Sequence, residues 1–381
     1  MDFEPTDTQY AIQDMALAFG GERIAPHARD WEREGTIPRE LWTAAGEHGL
    51  GGISVAEASG GAGLSRLDGT FIFEALSRSC PSVAAFLSIH NLCTWMIDAF
   101  GSEDLKRRYM PGALSMERVF SFCLTEPGSG SDAAALRTTA ERTSDGWLLT
   151  GSKSFISGGG YSDSYLVFCR TGEPGTGGIS AIIVDAGTPG LSFGALEDKM
   201  GWRSQPTRQV NLDSCHVDAA NLLGTEGQGF RHAMAGLDGG RLNISSCSLG
   251  GAQAALDQTV GHMGERKAFG KPLAAFQALQ FRVADMETDM QAARNLLRLA
   301  AWKLDRGSAD GVRFCAMAKL FATDKCFRVA NDCLQLHGGY GYLADYGIEK
   351  IVRDLRVHQI LEGTNEVMRL IIARELLPGI T

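Results

Sequence analysis

A chain of 381 residues is longer than one compact core usually needs, so two or three domains are expected. Its 44% hydrophobic and 21% charged residues are those of a soluble globular protein, and a net charge of −9 argues against a general nucleic-acid or membrane-surface binder. No uninterrupted apolar run is long enough to span a bilayer, and the acidic start Met1-Asp2-Phe3-Glu4-Pro5 offers neither the apolar stretch of a secretory signal nor an Arg-rich transit segment.

Residues 1–118 read as helices. Thr6 or Asp7 can cap a first helix with Ile12, Met15, Ala16 and Phe19 on one face. Pro38 stands where a first helical position is expected, and a short helix can run from it past Trp42. Glycine-rich loops follow at 49–52 and 60–63. Segments 70–78 and 83–100 are helical by pattern, the second apolar nearly all round and so buried, with His90 and Asn91 as core polar groups rather than ligands. Segment 106–114 closes this region.

The texture changes at Val119. From 119 to 226 short β-type runs, at 119–124, 147–150, 164–170, 179–185, 191–195 and 209–212, alternate with glycine-rich turns, the pattern of a small barrel or sandwich. From 227 to 381 the chain is helical again. Segment 244–263 is Ala- and Leu-rich; Phe281, Met286, Met290, Ala293, Leu297, Ala300 and Leu304 form a stripe; 312–336 forms another, stopped by Gly338-Gly339. Long helices with short connections predict an antiparallel bundle. The expected architecture is thus α+β: a helical domain over 1–118, a middle β domain over 119–226 and a C-terminal helical bundle over 227–381.

The nine cysteines are scattered and include no Cys-x-x-Cys, which fits reduced thiols in a cytosolic compartment; the eight histidines are equally dispersed, so no metal site is expected.

Five runs can carry chemistry. In Phe122-Cys123-Leu124-Thr125-Glu126-Pro127-Gly128-Ser129-Gly130-Ser131-Asp132 a strand enters a Gly/Ser loop, where glycines admit a ligand to backbone N–H groups and Ser131 can donate to an anion; an ordinary turn is the alternative. In Lys153-Ser154-Phe155-Ile156-Ser157-Gly158 a ring and a hydroxyl could meet one flat heterocycle, or be plain strand residues. Arg266-Lys267-Ala268-Phe269-Gly270, with Gln277 and Gln280 beyond, offers a guanidinium for phosphate oxygens or a solvated corner. Gln335-Leu336-His337-Gly338-Gly339-Tyr340-Gly341-Tyr342 is a helix stop with more glycine and tyrosine than a stop requires. Leu237-Asp238-Gly239-Gly240-Arg241, read as the start of a helix, puts Asp238 and Arg241 on one face, to pair or to reach a ligand.

The last stretch, from Arg356 to Arg369, delivers one carboxylate, Glu362, after the apolar pair Ile360-Leu361 and before Gly363-Thr364 and an amphipathic helix over 366–377, with Val367, Leu370, Ile371 and Leu377 at helical spacing. Such a carboxylate can hold a raised pKa and act as a base, or simply cap the helix.

Together these runs resemble the acyl-CoA dehydrogenase family over essentially the whole chain, most specifically through Leu124 to Asp132 and Gln335 to Tyr342. The resemblance implies noncovalent FAD. Phe122, Leu124, Thr125, Gly130 and Ser131 would line the flavin and its phosphates, and Phe155, Ile156 and Ser157 would lie against its ring. Arg266, Phe269, Gln277, Gln335, Gly338 and Gly339 would hold the pyrophosphate and adenosine half across a subunit boundary, completed by Thr364, Asn365 and Glu366. Ser131, Asp238, Gly239, Gly240, Arg241 and Arg374 match positions that meet the acyl-CoA. Glu362 stands where most of the family carries its base; isovaleryl-type members carry it in the residue before the Arg of Asp-x-x-Arg, which here is Gly240.

Residues 239–250, 317–324 and 356–368 are most similar to the branch acting on isobutyryl-CoA; a short straight-chain or 2-methylbutyryl-CoA specificity is the runner-up. Electron-transfer flavoprotein is the implied partner and a homotetramer the implied assembly. The DNA-associated branch of the same fold has a basic, extended C-terminus, against which the net charge and the end at Thr381 count. The expected compartment is bacterial cytoplasm, or mitochondrial matrix for a trimmed eukaryotic chain.

Overall fold

Thr6 opens the first helix, α1 (Asp7–Phe19). Its hydroxyl accepts from the Gln9 N–H while the Gln9 side chain accepts from the Thr6 N–H, a reciprocal cap contributing about 1 kcal/mol. This computed structural model describes residues 4–377 and 379. After α1 come a π-helical turn, Gly20–Ile24, and then α2 (Ala28–Glu34), α3 (Arg39–Glu47), α4 (Arg66–Ser79), α5 (Pro81–Phe100) and α6 (Glu103–Leu114). Pro38 caps α3 in an extended conformation rather than starting it. Helix α4 begins before residue 70 because Ser65 and Asp68 form a second reciprocal cap.

Helix α5 is long and apolar enough by length and composition to cross a membrane, its most apolar 18 residues having a mean hydropathy of 1.3, but 72% of that window is buried inside the protein, as expected of this segment, and His90, Asn91 and Asp98 interrupt its apolar run.

The middle region is one curled seven-stranded sheet. Its strands are β1 (Phe120–Cys123), β2 (Thr139–Arg142), β3 (Gly146–Ser157), β4 (Ser164–Arg170), β5 (Ile179–Asp185), β6 (Leu191–Phe193) and β7 (Thr207–Asp218). The order is β1-β4-β2-β3-β7-β6, with β5 paired to β4. Strand β2 carries only one buried residue, Ala140, and so lacks the alternation that would reveal it in sequence. Strand β3 runs on past residue 150 because two bulges, between Leu149 and Gly151 and between Lys153 and Ile156, let it stay paired with β7.

The C-terminal region holds α7 (Gly229–Glu265), the hairpin β8 (Lys267–Ala268) and β9 (Lys271–Pro272), α8 (Gln277–Asp305), α9 (Gly311–His337), α10 (Ile348–Arg356) and α11 (Asn365–Leu376). Helix α7 starts 15 residues before the expected 244, so Asp238 to Arg241 sit within its body and not at its start. Gly236, Gly239 and Gly240 hide the helix from propensity, since each weakens an isolated helix by about 1 kcal/mol. The expected stripe from Met286 to Ala300 does pack against Leu242, Leu249, Ala318 and Ala322 of the neighbouring helices, but Phe281 is 59% exposed and lies outside this core. On α11 Asn365 and Met368 are buried; of the expected stripe, Val367 and Ile371 are half-buried while Leu370 and the following Leu377 stand exposed, so only part of it docks within the chain. All nine cysteines are free and buried.

Two buried histidines join these regions. His90 of α5 donates from Nε2 to the Ala113 carbonyl and accepts at Nδ1 from the Phe120 N–H. His358 accepts at Nε2 from the Trp202 indole and donates from Nδ1 to Ser248 of α7. Burial pushes His90 down to about 4 and His358 down to about 3. The unfolded chain binds these protons near pH 6.5 and the folded protein does not, so their stabilisation is complete above that value and is lost as pH falls toward 3–4. Unfolding free energy should decline below pH 6.5 by about 1.4 kcal/mol per pH unit for each histidine. Denaturant titrations between about pH 7 and pH 5 check this, with His358→Asn expected to flatten the slope; a parent curve already flat there would contradict it.

Candidate active site

Helix α10 ends at Arg356, the turn Val357–Gln359 follows, and two consecutive residues then adopt left-handed conformations: Glu362 at φ 55° and Gly363 at φ 88°. A non-glycine residue there costs about 1 kcal/mol or more and persists only where its surroundings hold it. The turn sends the Glu362 side chain back against α7. A Cβ added at Gly240 would lie 2.7 Å from Glu362 Oε2 and 3.0 Å from Oε1, so the missing side chain at 240 makes room for this carboxylate. Glu362 Oε2 is buried without a hydrogen-bond partner among the described residues. Burial raises the Glu362 pKa to about 7, against the opposing pull of Lys319 and Arg241. The helix-cap reading fails on geometry: the cap of α11 is Thr364, whose hydroxyl accepts from the Val367 N–H.

Arg241 and Asp238 pair at 2.7 Å, both buried, and Arg241 Nε also reaches the Glu362 carbonyl at 3.4 Å. Burial raises the Asp238 pKa in spite of Arg241. Neighbouring Gly239 faces Arg66, whose guanidinium lies over the Trp95 ring at 4.4 Å. Arg374 stands exposed on the last turn of α11, beside Glu375, which pairs with Arg313.

The β-domain residues gather in one place. The Thr125 carbonyl accepts from the Ser154 N–H at 2.9 Å, and Ser121 Oγ donates to the Ser157 carbonyl at 2.6 Å, so the Gly/Ser loop and the end of β3 lie side by side. Phe155, at φ 58° in the second bulge, is 71% exposed, although its size and type favour burial. Gly130 has nothing closer than Thr125 Cγ2, at 4.0 Å, to a built Cβ, and Ser131 is exposed. Phe122 packs on Phe168 and Leu124 is buried beneath the loop. Ile156 departs from its expected role: its side chain is 2% exposed and belongs to the β-sheet core, leaving only its main chain to meet a ring.

The loop rests on a buried pair that sequence reading did not single out. Glu126 accepts from Lys153 Nζ at 2.7 Å and from the Arg137 and Thr138 N–H groups, and Lys153 also donates to the Leu124 carbonyl. Burial opposes ionisation of Glu126, but Lys153 and these donors hold its pKa below the ordinary carboxylate value.

The second set clusters at one end of the bundle. Arg266 caps α7 and lies over Tyr340 at 5.3 Å. Phe269, in the β8–β9 hairpin, is 96% exposed; Gln277, Gln335, Gly338 and Gly339 are exposed too. Among the described residues no hydrogen bond or ring contact joins this set to the β-domain set. Glu366 is exposed on the first turn of α11. Asn365 is 3% exposed and its side chain is engaged inside the protein, accepting from Lys319 and donating to Thr323 and Asp324, so its side chain is not available to a cofactor and only its main chain could meet one. Lys319 was also missed; the available signal was a lysine on the apolar α9 face that carries Cys315, Ala322 and Cys326.

Three family models match in succession: the acyl-CoA dehydrogenase N-terminal domain over residues 6–117, the middle domain over 121–215 and the C-terminal domain over 227–377. The chain belongs to the acyl-CoA dehydrogenase family. It is 52% identical over 372 residues to the mitochondrial isobutyryl-CoA dehydrogenase of Bos taurus, covering 98% of this chain and 89% of that protein. Among solved structures it is similar to a chain described under the electron transferring flavoprotein of Acidaminococcus fermentans, with 41% identity and a TM-score of 0.96 over 99% of this chain and 100% of that one. It is likewise similar to butyryl-CoA dehydrogenase from Megasphaera elsdenii, with 38% identity and a TM-score of 0.95 over 99% and 100%. The protein is an oxidoreductase acting on the CH–CH group of acyl-CoA, and acyl-CoA dehydrogenases are FAD-dependent. The residues present fit that cofactor: an exposed aromatic held in a left-handed bulge beside an open Gly/Ser loop is a cradle for a flat ring with a polar tail.

Proposed function

We propose that this dehydrogenase converts isobutyryl-CoA to methacrylyl-CoA in valine catabolism, with Glu362 as the base and electron-transfer flavoprotein as the onward carrier. The observation that carries the mechanism is the Glu362 carboxylate, buried against Gly240 with one oxygen unpartnered. A glutamate in water, with a pKa of about 4.3, is too weak a base for a proton α to a thioester. At about 7 it is a stronger base that is still partly ionised at neutral pH.

The Glu362 N–H meets no backbone acceptor among the described residues, so it is free to donate to the thioester oxygen and stabilise the charge that develops there. Arg241, bonded to the Glu362 carbonyl, steadies the same turn. Bound FAD supplies the acceptor for the hydride leaving the β-carbon. Phe122, Thr125, Gly130, Ser131, Phe155 and the main chain at Ile156 and Ser157 would hold its ring end. Arg266, Phe269, Gln277, Gln335, Gly338 and Gly339 would hold the other half. That these two sets are not joined within one chain supports a homotetramer in which a second copy completes each site. The likeness to the chain from the Acidaminococcus structure supports an electron-transfer flavoprotein partner. Bacterial cytoplasm or mitochondrial matrix is the proposed location.

Identity to the bovine enzyme supports the branched-chain reading. Anaerobic mixing of the yellow protein with a panel of thioesters tests it. Isobutyryl-CoA is expected to bleach the flavin faster than butyryl- or isovaleryl-CoA; a clear preference for a straight chain would transfer the protein to the runner-up specificity.

A further inference from the structure

Lys319 of α9 is a lysine in an unusual position. It is fully buried, and its ammonium donates to the Gly363 carbonyl at 2.8 Å and to Asn365 Oδ1 at 2.9 Å. Both partners are neutral, and no carboxylate among the described residues forms an ion pair with it. Taking an ammonium out of water without a paired anion is costly, and neutral acceptors offset only part of that cost.

The two acceptors lie one and three residues beyond Glu362, so Lys319 grips the far flank of the left-handed turn. Its neighbours complete the grip. Asn365 Nδ2 donates to Asp324 Oδ1 at 2.7 Å, Gln359 Nε2 donates to the same oxygen at 2.7 Å, and Thr323 Oγ1 lies 3.3 Å from Asn365 Oδ1. Helix α9 thereby pins the loop on both sides of Glu362.

We propose that Lys319 is a positioning residue for Glu362: its ammonium clamps the Gly363 carbonyl, holds the strained turn that aims the carboxylate at Gly240, and supplies the positive charge that favours the ionised base. This rests on Glu362 being the base. The charged and titratable groups around the pair are few. From α7, Arg241 acts on both Glu362 and Lys319, and Cys247 senses Glu362. From α9, Asp324 acts on Lys319; from α11, Glu366 does; and neutral His358 lies on the other side. Asp324 is committed to Gln359, Asn365 and Arg369, and Glu366 is exposed, so Glu362 is the anion that Lys319 influences from within the site. The reciprocal pulls agree: Glu362 is the leading charge opposing the loss of the Lys319 proton, and Lys319 the leading charge favouring ionised Glu362.

The test compares the holoenzyme with Lys319→Met and Lys319→Gln. The second variant keeps a side-chain N–H donor facing the far flank of the turn, so that only the charge is lost, and leaves the bonds of Asn365 to Thr323 and Asp324 in place. Single-turnover flavin reduction by isobutyryl-CoA is followed against pH. The carboxyl band of protonated Glu362, identified by its absence in Glu362→Gln, is titrated by infrared difference spectroscopy without substrate. Removing a nearby opposite charge should move the ionisation of Glu362 up by about one pH unit or more in both readouts. A merely structural lysine would lower the melting temperature and the rate alike at every pH and leave the titration where it was.

Should Lys319→Met fail to fold, Lys319→Gln decides. The proposal falls if either folded variant titrates as the parent does. If instead Glu362→Gln keeps the parent's pH profile for flavin reduction, the base assignment itself is wrong, a different result from an unmoved titration.

Discussion

Glu362→Gln is expected to retain FAD and acyl-CoA while losing proton abstraction. The amide preserves the size of the side chain and the left-handed turn, which Lys319 holds at Gly363 and Asp324 holds at Gln359 on the other side. It removes the carboxylate that lies against Gly240 of α7. General-base removal costs about 10²–10⁴ in rate, and more where the proton is as weakly acidic as one α to a thioester. Single-turnover flavin reduction measures this directly, with exchange of the substrate α-hydrogen in deuterated water as a second readout. Reduction within a few-fold of the parent would remove Glu362 from the mechanism.

Moving the base is the second large effect. A Cβ at position 240 would point at the space the Glu362 carboxylate occupies, 2.7 Å from Oε2, so a side chain built from α7 can reach the same volume. Gly240→Glu with Glu362 retained crowds two carboxylates into one buried space, where like charge forces one to stay protonated, and activity should fall. Glu362→Gly alone removes the base and relieves the left-handed strain at φ 55°, so it should fold but be as inactive as the glutamine variant. The double variant, Glu362→Gly with Gly240→Glu, should recover about tenfold or more over Glu362→Gly as general-base catalysis is restored. Equal rates for the double and single variants would mean that position 240 does not face the substrate carbon that Glu362 serves.

The order of the three regions was legible because hydrophobic period changes along the chain, from 3.6 to 2 and back. Strands β4 and β5 match the expected 164–170 and 179–185 because both are nearly continuous apolar runs, buried on both faces. Where the period is weak the reading shortened or lost elements: β2 has one buried residue, and the first third of α7 is broken by glycines that exist to admit neighbours.

In the site, residue types and local spacing offered Glu362 as a base or a helix cap, and the Gly/Ser loop from Phe122 to Asp132 and the Arg266 and Gln335 runs as ligand contacts or ordinary turns; the resemblance of these runs, each within about ten consecutive residues, to one family is what assigned them roles. Partners that come from distant elements were not legible. The Glu126–Lys153 pair and the clamp of Lys319 on Gly363 and Asn365 each join residues 27 to 46 positions apart, whereas the relation of Gly240 to Glu362 was implied by the resemblance alone. The sequence by itself determined which groups were available: one carboxylate, one open loop, one guanidinium. Only the tertiary structure decided how they are placed, because burial and the approach of Lys319 and Arg241 bear on the charge state of Glu362, and the space left by Gly240 is seen to hold that carboxylate only when α7 and the turn at Glu362 are brought together.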